Sequence, residues 1–241
     1  MTMITPATIE AVVFDAYGTL FDVYSIGALA EQLYPAQGAA ISVMWRDKQI
    51  EYTRLITMSD PHSPGGSRHY QSFWALTRVS LQYTLARLKL RSDDDHAANV
   101  QALMKQYARL TAFPENIAVL NELKRRGIRT AILSNGSRDM LDSAVSSAGM
   151  QDLLDHVISV EGIRRFKTSP ESYALVQQHI PVNAANILFV SSNAWDALGA
   201  TWFGFTTLWV NRGGLPFETI GPPPTHTGID LTEVLAVLGI S

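Results

Sequence analysis

Residues Ala11-Val12-Val13-Phe14 form an unbroken apolar run that ends on Asp15, with Gly18 and Thr19 following at once. Four apolar residues without a polar interruption are the pattern of a short strand buried on both faces. A carboxylate at the end of such a strand is costly unless it has partners, because burying an unpaired charge is strongly unfavourable. Gly18 supplies a tight turn, and Thr19 a hydroxyl that can hold the carboxylate. The pattern predicts an aspartate that is presented, aimed and immobile. Two residues beyond it stands an aromatic side chain, Tyr17.

The chain then changes period. Residues 24–33, 40–58, 70–88 and 94–110 carry apolar residues at three- and four-residue spacing, which predicts four helices. Between the second and third lies Ser59-Asp60-Pro61-His62-Ser63-Pro64-Gly65-Gly66-Ser67, a loop by composition. From Pro114 onward strands alternate with helices: strands at 129–133, 156–160, 187–190 and 206–210, helices at 117–126, 140–148, from Ser169-Pro170-Glu171 and at 195–203. Ser169 is the expected N-cap of its helix, with Pro170 at its first position. Residues 212–227 read as a surface loop before a C-terminal helix. This alternation predicts an α/β fold, a parallel sheet with helices on both faces. It divides the chain into a core of residues 1–20 and 112–241 and an inserted all-helical unit of residues 21–111.

Composition removes several function classes. At 241 residues and 46% hydrophobic, the chain can bury a substantial core. A net charge of −3 gives no electrostatic case for nucleic acid or an anionic membrane. The absence of cysteine excludes disulfides, zinc–thiolate sites and thiol catalysis, and fits a reducing cytoplasm. No apolar run approaches the roughly 20 residues of a membrane span, and the N-terminus lacks the pattern of a signal peptide. Met1 to Pro6 read as a candidate vector leader and carry no weight in the fold argument. Histidines 62, 69, 96, 156, 179 and 226 have no metal-ligand spacing.

In open α/β sheets, ligands bind outside the carboxyl ends of the strands. Four strand-to-helix junctions here are polar: Asp15 with Thr19; Ser134 with Asn135; Lys167; and Ser191, Ser192 and Asn193, followed by Asp196 in the next helix. Alone, Ser134-Asn135 is turn chemistry, Lys167 an exposed side chain, and Asp196 an acid complementing a helix dipole. Together, at one sheet edge, they predict an active site.

These junctions resemble the four motifs of the haloacid dehalogenase superfamily, over nearly the whole chain. Asp15-Ala16-Tyr17-Gly18-Thr19 is similar to the nucleophile motif, Ser134-Asn135 to the second, Lys167 to the third and Ser191–Asp196 to the fourth. The resemblance implies a Rossmann-like core with the helical insertion as its cap domain. Most members of the superfamily are magnesium-dependent phosphatases, with a second aspartate where this chain has Tyr17 and a further carboxylate near Ser191 and Ser192. Magnesium favours oxygen ligands, usually carboxylates, and phosphoryl transfer leans on the ion, so these departures disfavour that chemistry. They resemble instead the L-2-haloacid dehalogenase branch, as do residues 14–20, 45–52, 133–137 and 189–196.

The branch implies hydrolytic dehalogenation of short-chain L-2-haloacids to D-2-hydroxyacids, with inversion and an aspartyl ester on Asp15. It implies no metal and no cofactor, a small halogenated carboxylic acid and halide as partners, and a cytoplasmic homodimer. Arg46 and Asn135 would receive the halide, with Phe73 or a nearby cap aromatic completing the site; Ser134 and main-chain N–H groups after Asp15 would hold the substrate carboxylate. Tyr17, Ile50 and Trp195 would form apolar walls. Asp196 is the expected base for the hydrolytic water, positioned by Ser191 and Asn193; Lys167 favours the ionised Asp15, with Thr19 and Tyr173 in support. Two other readings stay open at this point: a magnesium-dependent phosphatase or phosphonatase of the same superfamily, and a non-catalytic protein that binds small carboxylates.

Overall fold

A computed structural model describes residues 8–90 and 95–240; the candidate leader and Asp94, the first residue of the fourth expected helix, lie outside them. Six strands form one parallel sheet: β1 (Ala11–Phe14), β2 (Arg129–Ser134), β3 (His156–Ser159), β4 (Ile187–Ser191), β5 (Thr206–Val210) and β6 (His226–Gly228), in the order β3-β2-β1-β4-β5-β6. β1 is central, with Val13 opposite Ala131 on one side and Phe189 on the other. All four of its residues are fully buried, as an apolar run without alternation requires.

The chain builds the sheet outward from β1 to β3, then returns to add β4 and β5 on the other side. Right-handed crossovers running in opposite directions put their helices on opposite faces. α5 (Asn116–Arg125) packs on β2, α6 (Arg138–Ser147) on β3, and α8 (Ala194–Phe203) on β4 and β5. α7 (Pro170–His179) packs on α8, and the C-terminal α9 (Glu233–Val237) on α5. The reversal beside β1 creates a crevice at the carboxyl ends of β1, β2 and β4, the place where such sheets bind ligands.

Among the described residues, four helices stand between β1 and α5: α1 (Gly27–Leu33), α2 (Gly38–Met58), α3 (Phe73–Arg87) and α4 (His96–Tyr107). α2 packs along both α1 and α3, and α3 along α4. Where the chain leaves and re-enters the sheet its two crossings are tied side by side. Asp22 N–H donates to Thr111 O at 2.8 Å, and Phe113 N–H to Leu20 O at 3.1 Å. The buried Asn116 amide adds a bond to Leu20 O at 2.7 Å.

Local hydrogen bonding moved several boundaries. The first helix begins at Gly27 rather than residue 24 because Asp22 captures the preceding turn, accepting from Tyr24 N–H at 2.9 Å. The third begins at Phe73 because Ser72 caps it through Ala75 N–H at 3.2 Å. Ser169 occupies the N-cap position as expected but makes no side-chain cap bond; its hydroxyl lies 3.0 Å from that of Ser172. The expected loop of residues 212–227 is corrected at its end, where residues 226–228 add the sixth strand, tied by Asn211 N–H to Gly228 O at 2.7 Å. Three residues after a proline run are too short to carry a strand period. Among the described residues no helix is long and apolar enough to cross a membrane.

Leu133 is fully buried in the middle of the sheet. Leu133→Ala removes its packing and leaves a cavity, so urea unfolding should register a loss of about 2–5 kcal/mol.

Candidate active site

Asp15 lies at the carboxyl end of β1, where the turn folds back through Leu20 N–H to Ala16 O at 2.9 Å. Gly18 takes φ +99, and a Cβ there would come 3.4 Å from the Asn193 amide. A glycine thus serves both the left-handed turn and the close approach of the neighbouring junction. Thr19 Oγ1 donates to Asp15 Oδ2 at 2.9 Å and accepts from Ser192 N–H at 2.8 Å, which couples the β1 and β4 junctions. Asn193 Nδ2 donates to the same Oδ2 at 2.9 Å and to Tyr17 O at 3.1 Å. Ser191 Oγ accepts from Asn193 N–H at 3.1 Å. Ser191 therefore braces the turn that aims Asn193, and has no direct bond to Asp196.

The β3 junction brings in Lys167, which is 1% exposed. Its ammonium donates to Asp15 Oδ1 at 3.0 Å and to Asp196 Oδ2 at 2.9 Å. Tyr173 O–H donates to the other oxygen of Asp196 at 2.8 Å. Room for that hydroxyl comes from Gly199, where a Cβ would approach it to 2.5 Å. Burial raises the Asp196 pKa most; Lys167 pulls it back and Asp15 pushes it up again, leaving it at about 6. Burial alone would lower the Lys167 pKa, but the two carboxylates outweigh it and the ammonium stands above the ordinary lysine value.

Arg46 on α2 completes the charge balance: two buried carboxylates face two buried cations. Its NH2 donates to Tyr17 O at 2.9 Å and to Asn193 Oδ1 at 3.1 Å, so the helical insertion reaches the sheet edge through a guanidinium. Tyr17 turns its ring into an aromatic cluster, 5.8 Å from Phe73 and 5.9 Å from Tyr107. Burial pushes the Tyr17 hydroxyl far above its ordinary pKa, so it stays protonated. The β2 junction joins through Asn135, whose Oδ1 accepts from Lys167 N–H at 2.9 Å; Ser134 Oγ accepts from Gly136 N–H at 3.0 Å. Ile50 and Trp195 stand on the wall of a cavity of about 840 Å³ that also touches Arg46, Gly18, Ser192 and Asn193. Arg54 covers the Trp195 ring at 5.5 Å. The cavity opens beside Asp15 rather than onto it, with Arg46 and Asn193 between.

All the residues expected from the sequence therefore gather at or beside the crevice. Several that matter were not expected. Gln49 is fully buried on α2 and bonds Arg46; its signal was a polar residue three positions from Arg46, on the same helix face. Arg165, two residues before Lys167, grips the insertion loop through Pro61 O at 2.6 Å and Ser63 O at 2.5 Å. Its role had no sequence signal, because both partners are main-chain oxygens.

The superfamily's magnesium can be tested against these donors. Magnesium wants several oxygen ligands, usually including carboxylates. Here the Lys167 ammonium already stands between the two carboxylates, and both oxygens of Asp15 accept hydrogens from neighbours. Tyr17 offers no carboxylate, and among the described residues no group of three or more histidine, aspartate or glutamate side chains is arranged to hold a metal ion. The site does not fit a divalent cation.

A family model described as haloacid dehalogenase-like hydrolase matches residues 9–204. (S)-2-haloacid dehalogenase H-109 of Pseudomonas putida is 41% identical over 226 residues, 94% of this chain and 96% of that protein. Among solved structures, L-2-haloacid dehalogenase RSc1362 superposes with a TM-score of 0.90 at 52% identity, covering 96% of this chain and 99% of its own. L-2-haloacid dehalogenase from Xanthobacter autotrophicus, solved with chloropropionic acid covalently bound, gives a TM-score of 0.83 at 37% identity, covering 96% and 99%.

Asp196 has a raised pKa that Tyr173 helps to restrain. Tyr173→Phe should move the Asp196 ionisation further up, read by carbon-13 carboxyl NMR titration against the unaltered protein. Because Asp196 holds its proton more tightly folded than unfolded, its contribution to stability should fall as pH rises from about 4 to about 6. The difference in unfolding free energy between the unaltered protein and Asp196→Asn across that window checks the sign.

Proposed function

The chain belongs to the haloacid dehalogenase-like hydrolases, in the (S)-2-haloacid dehalogenase branch, and we propose that it hydrolyses short-chain L-2-haloacids to D-2-hydroxyacids through an ester on Asp15. The observation that carries this reading is the shared cation: one buried ammonium bonded to both Asp15 and Asp196. It supports one carboxylate as nucleophile and the other as base, with no metal between them.

In the first step Asp15 attacks the halogen-bearing carbon from the side opposite the halogen. Oδ1 accepts one hydrogen bond and Oδ2 two, so Oδ1 keeps the freer lone pair and is the attacking oxygen. The new carbon–oxygen bond forms as the carbon–halogen bond breaks, the halide takes the bonding pair, and the carbon inverts. A departing halide needs donors in a water-poor pocket. Arg46 supplies a permanent charge, Asn135 its Nδ2 hydrogens, and Phe73 an apolar side. Ser134 holds the substrate carboxylate, and Tyr17, Ile50 and Trp195 line the alkyl side.

In the second step a water attacks the carbonyl carbon of the Asp15 ester. Asp196 accepts its proton, ionised above about pH 6 and so in the right form at neutrality. The ester carbon–oxygen bond breaks on the Asp15 side, Asp196 returns its proton to the leaving oxygen, and the hydroxyacid departs with an oxygen that began on Asp15; the second water proton goes to solvent as Asp15 regains its carboxylate. Lys167 balances charge on both carboxylates through the cycle; Thr19, Asn193 and Tyr173 fix their orientation. Residues 21–111 act as the cap over a core of residues 1–20 and 112–241, contributing Arg46, Ile50 and Phe73. Exposed Val43, Leu55 and Met58 on α2, with Tyr83 on α3, support a homodimer.

Chloride release from the two 2-chloropropionate enantiomers, with chelator present, tests the reaction. The L enantiomer should be consumed, and Asp15→Asn should be inactive once deamidation is excluded by mass. Single turnover in oxygen-18 water should label Asp15 and leave the product hydroxyl unlabelled. Phosphate release requiring magnesium, without halide release, overturns the reading.

A further inference from the structure

Arg46 is held from two sides, and one of them is a polar network inside the helical insertion. Gln49 lies one turn along α2, fully buried. Its Oε1 accepts from Arg46 NH1 at 2.8 Å and from Tyr107 O–H, on α4, at 3.2 Å. Its Nε2 donates to Thr77 Oγ1 on α3 at 2.6 Å, and Thr77 Oγ1 donates in turn to Phe73 O at 2.7 Å. Three helices thus fix one amide, and the amide fixes one guanidinium.

Within the insertion itself, the Tyr107 hydroxyl asks for one acceptor there. A buried amide must lose water, and its hydrogen bonds return little more than that loss. An apolar side chain of similar size would fill the space between the three helices, at the cost of the Tyr107 bond. What an apolar residue cannot do is accept from Arg46. Without that acceptor, NH1 would leave a buried donor unpaired. Four carboxylates, Asp22, Asp47, Glu51 and Glu218, stand on the wall of the adjoining cavity and would draw the side chain outward.

We propose that Gln49 is a positioning residue that holds the Arg46 guanidinium at the halide end of the site. It governs cleavage of the carbon–halogen bond and leaves hydrolysis of the ester to the Lys167–Asp196 pair on the opposite side. The inference rests on the dehalogenase reading above.

Rapid-quench kinetics of Gln49→Met, with L-2-chloropropionate and L-2-bromopropionate, separates the two steps. Formation of the Asp15 ester from the chloro acid should slow on the order of 100-fold, the scale of losing the position of a catalytic group. The bromo acid, whose leaving group needs less help, should lose several-fold less, while ester hydrolysis keeps its rate. Tyr107→Phe keeps the Arg46–Gln49 bond and the aromatic ring. It should show the same halide dependence with a smaller loss, which keeps the inference testable if Gln49→Met does not fold. Equal losses with both halides, a parallel slowing of hydrolysis, or unchanged ester formation in an active enzyme overturns the role of Gln49 alone. No halide release by the unaltered enzyme overturns the dehalogenase reading and this inference with it.

Discussion

One ammonium holds the site together. Lys167 is buried, reaches both Asp15 and Asp196 within 3.0 Å, and stands above its ordinary pKa because of them. Two carboxylates so close could not both be ionised in a dry crevice without a cation between them. Each member also arrives from a different strand end, so the ion pairs connect the β1, β3 and β4 junctions. Asn135 joins the β2 junction by accepting from the main chain of Lys167 itself. The chemistry and the alignment of the sheet's carboxyl edge depend on the same contact.

The helical insertion is coupled to that edge by two arginines with different tasks. Arg46 points a charge from α2 into the site, bridging Gln49 on its own helix and Asn193 on the other side. Arg165 works in the opposite direction, from two residues before Lys167 to the carbonyls of the 59–67 loop. Phe166 N–H, accepted by Thr57 Oγ1 at 3.0 Å, adds a further tie. The position of the buried lysine and the position of the insertion are therefore one constraint. A shift of α2 would be felt at both ends of Asp15.

What was legible in the sequence follows from the range of each interaction. The β1 strand was readable because burial on both faces writes itself as an uninterrupted apolar run, and the polar junctions because they stand directly after such runs. Helix starts were less legible where a side chain captured a turn, as Asp22 does before α1 and Ser72 before α3. The sixth strand escaped because three residues at a sheet edge have no period to detect. Thr19 and Asn193 are legible, but their convergence on one oxygen of Asp15 depends on the pairing of β1 with β4, which brings in Asn193 from 178 residues away. Gln49 was passed over because a glutamine beside arginine and lysine on a long helix looks like solvated surface. Only the packing of α3 and α4 reveals that the face is buried.

Charge balance gives the distinction between carbon and phosphorus a physical basis. Asp15 and Asp196 are matched by Lys167 and Arg46, so the cluster is close to neutral before any ligand enters. A 2-haloacid would add a single negative charge, and the proposed displacement would only relocate charge from Asp15 to the departing halide. Arg46, already bonded at Tyr17 O and Asn193, can receive that charge with little rearrangement. A phosphate monoester would bring nearly two negative charges to the same crevice, and their transfer depends on cations aligned with the phosphoryl oxygens. The position that a second aspartate would need is filled by Tyr17, locked in its aromatic cluster by Phe73 and Tyr107. Restoring one carboxylate there would add a charge without removing the lysine that stands between Asp15 and Asp196. Conversion to metal-assisted chemistry therefore requires several coupled changes, and the aromatic residue two positions after Asp15 is one part of a charge arrangement that spans the whole crevice.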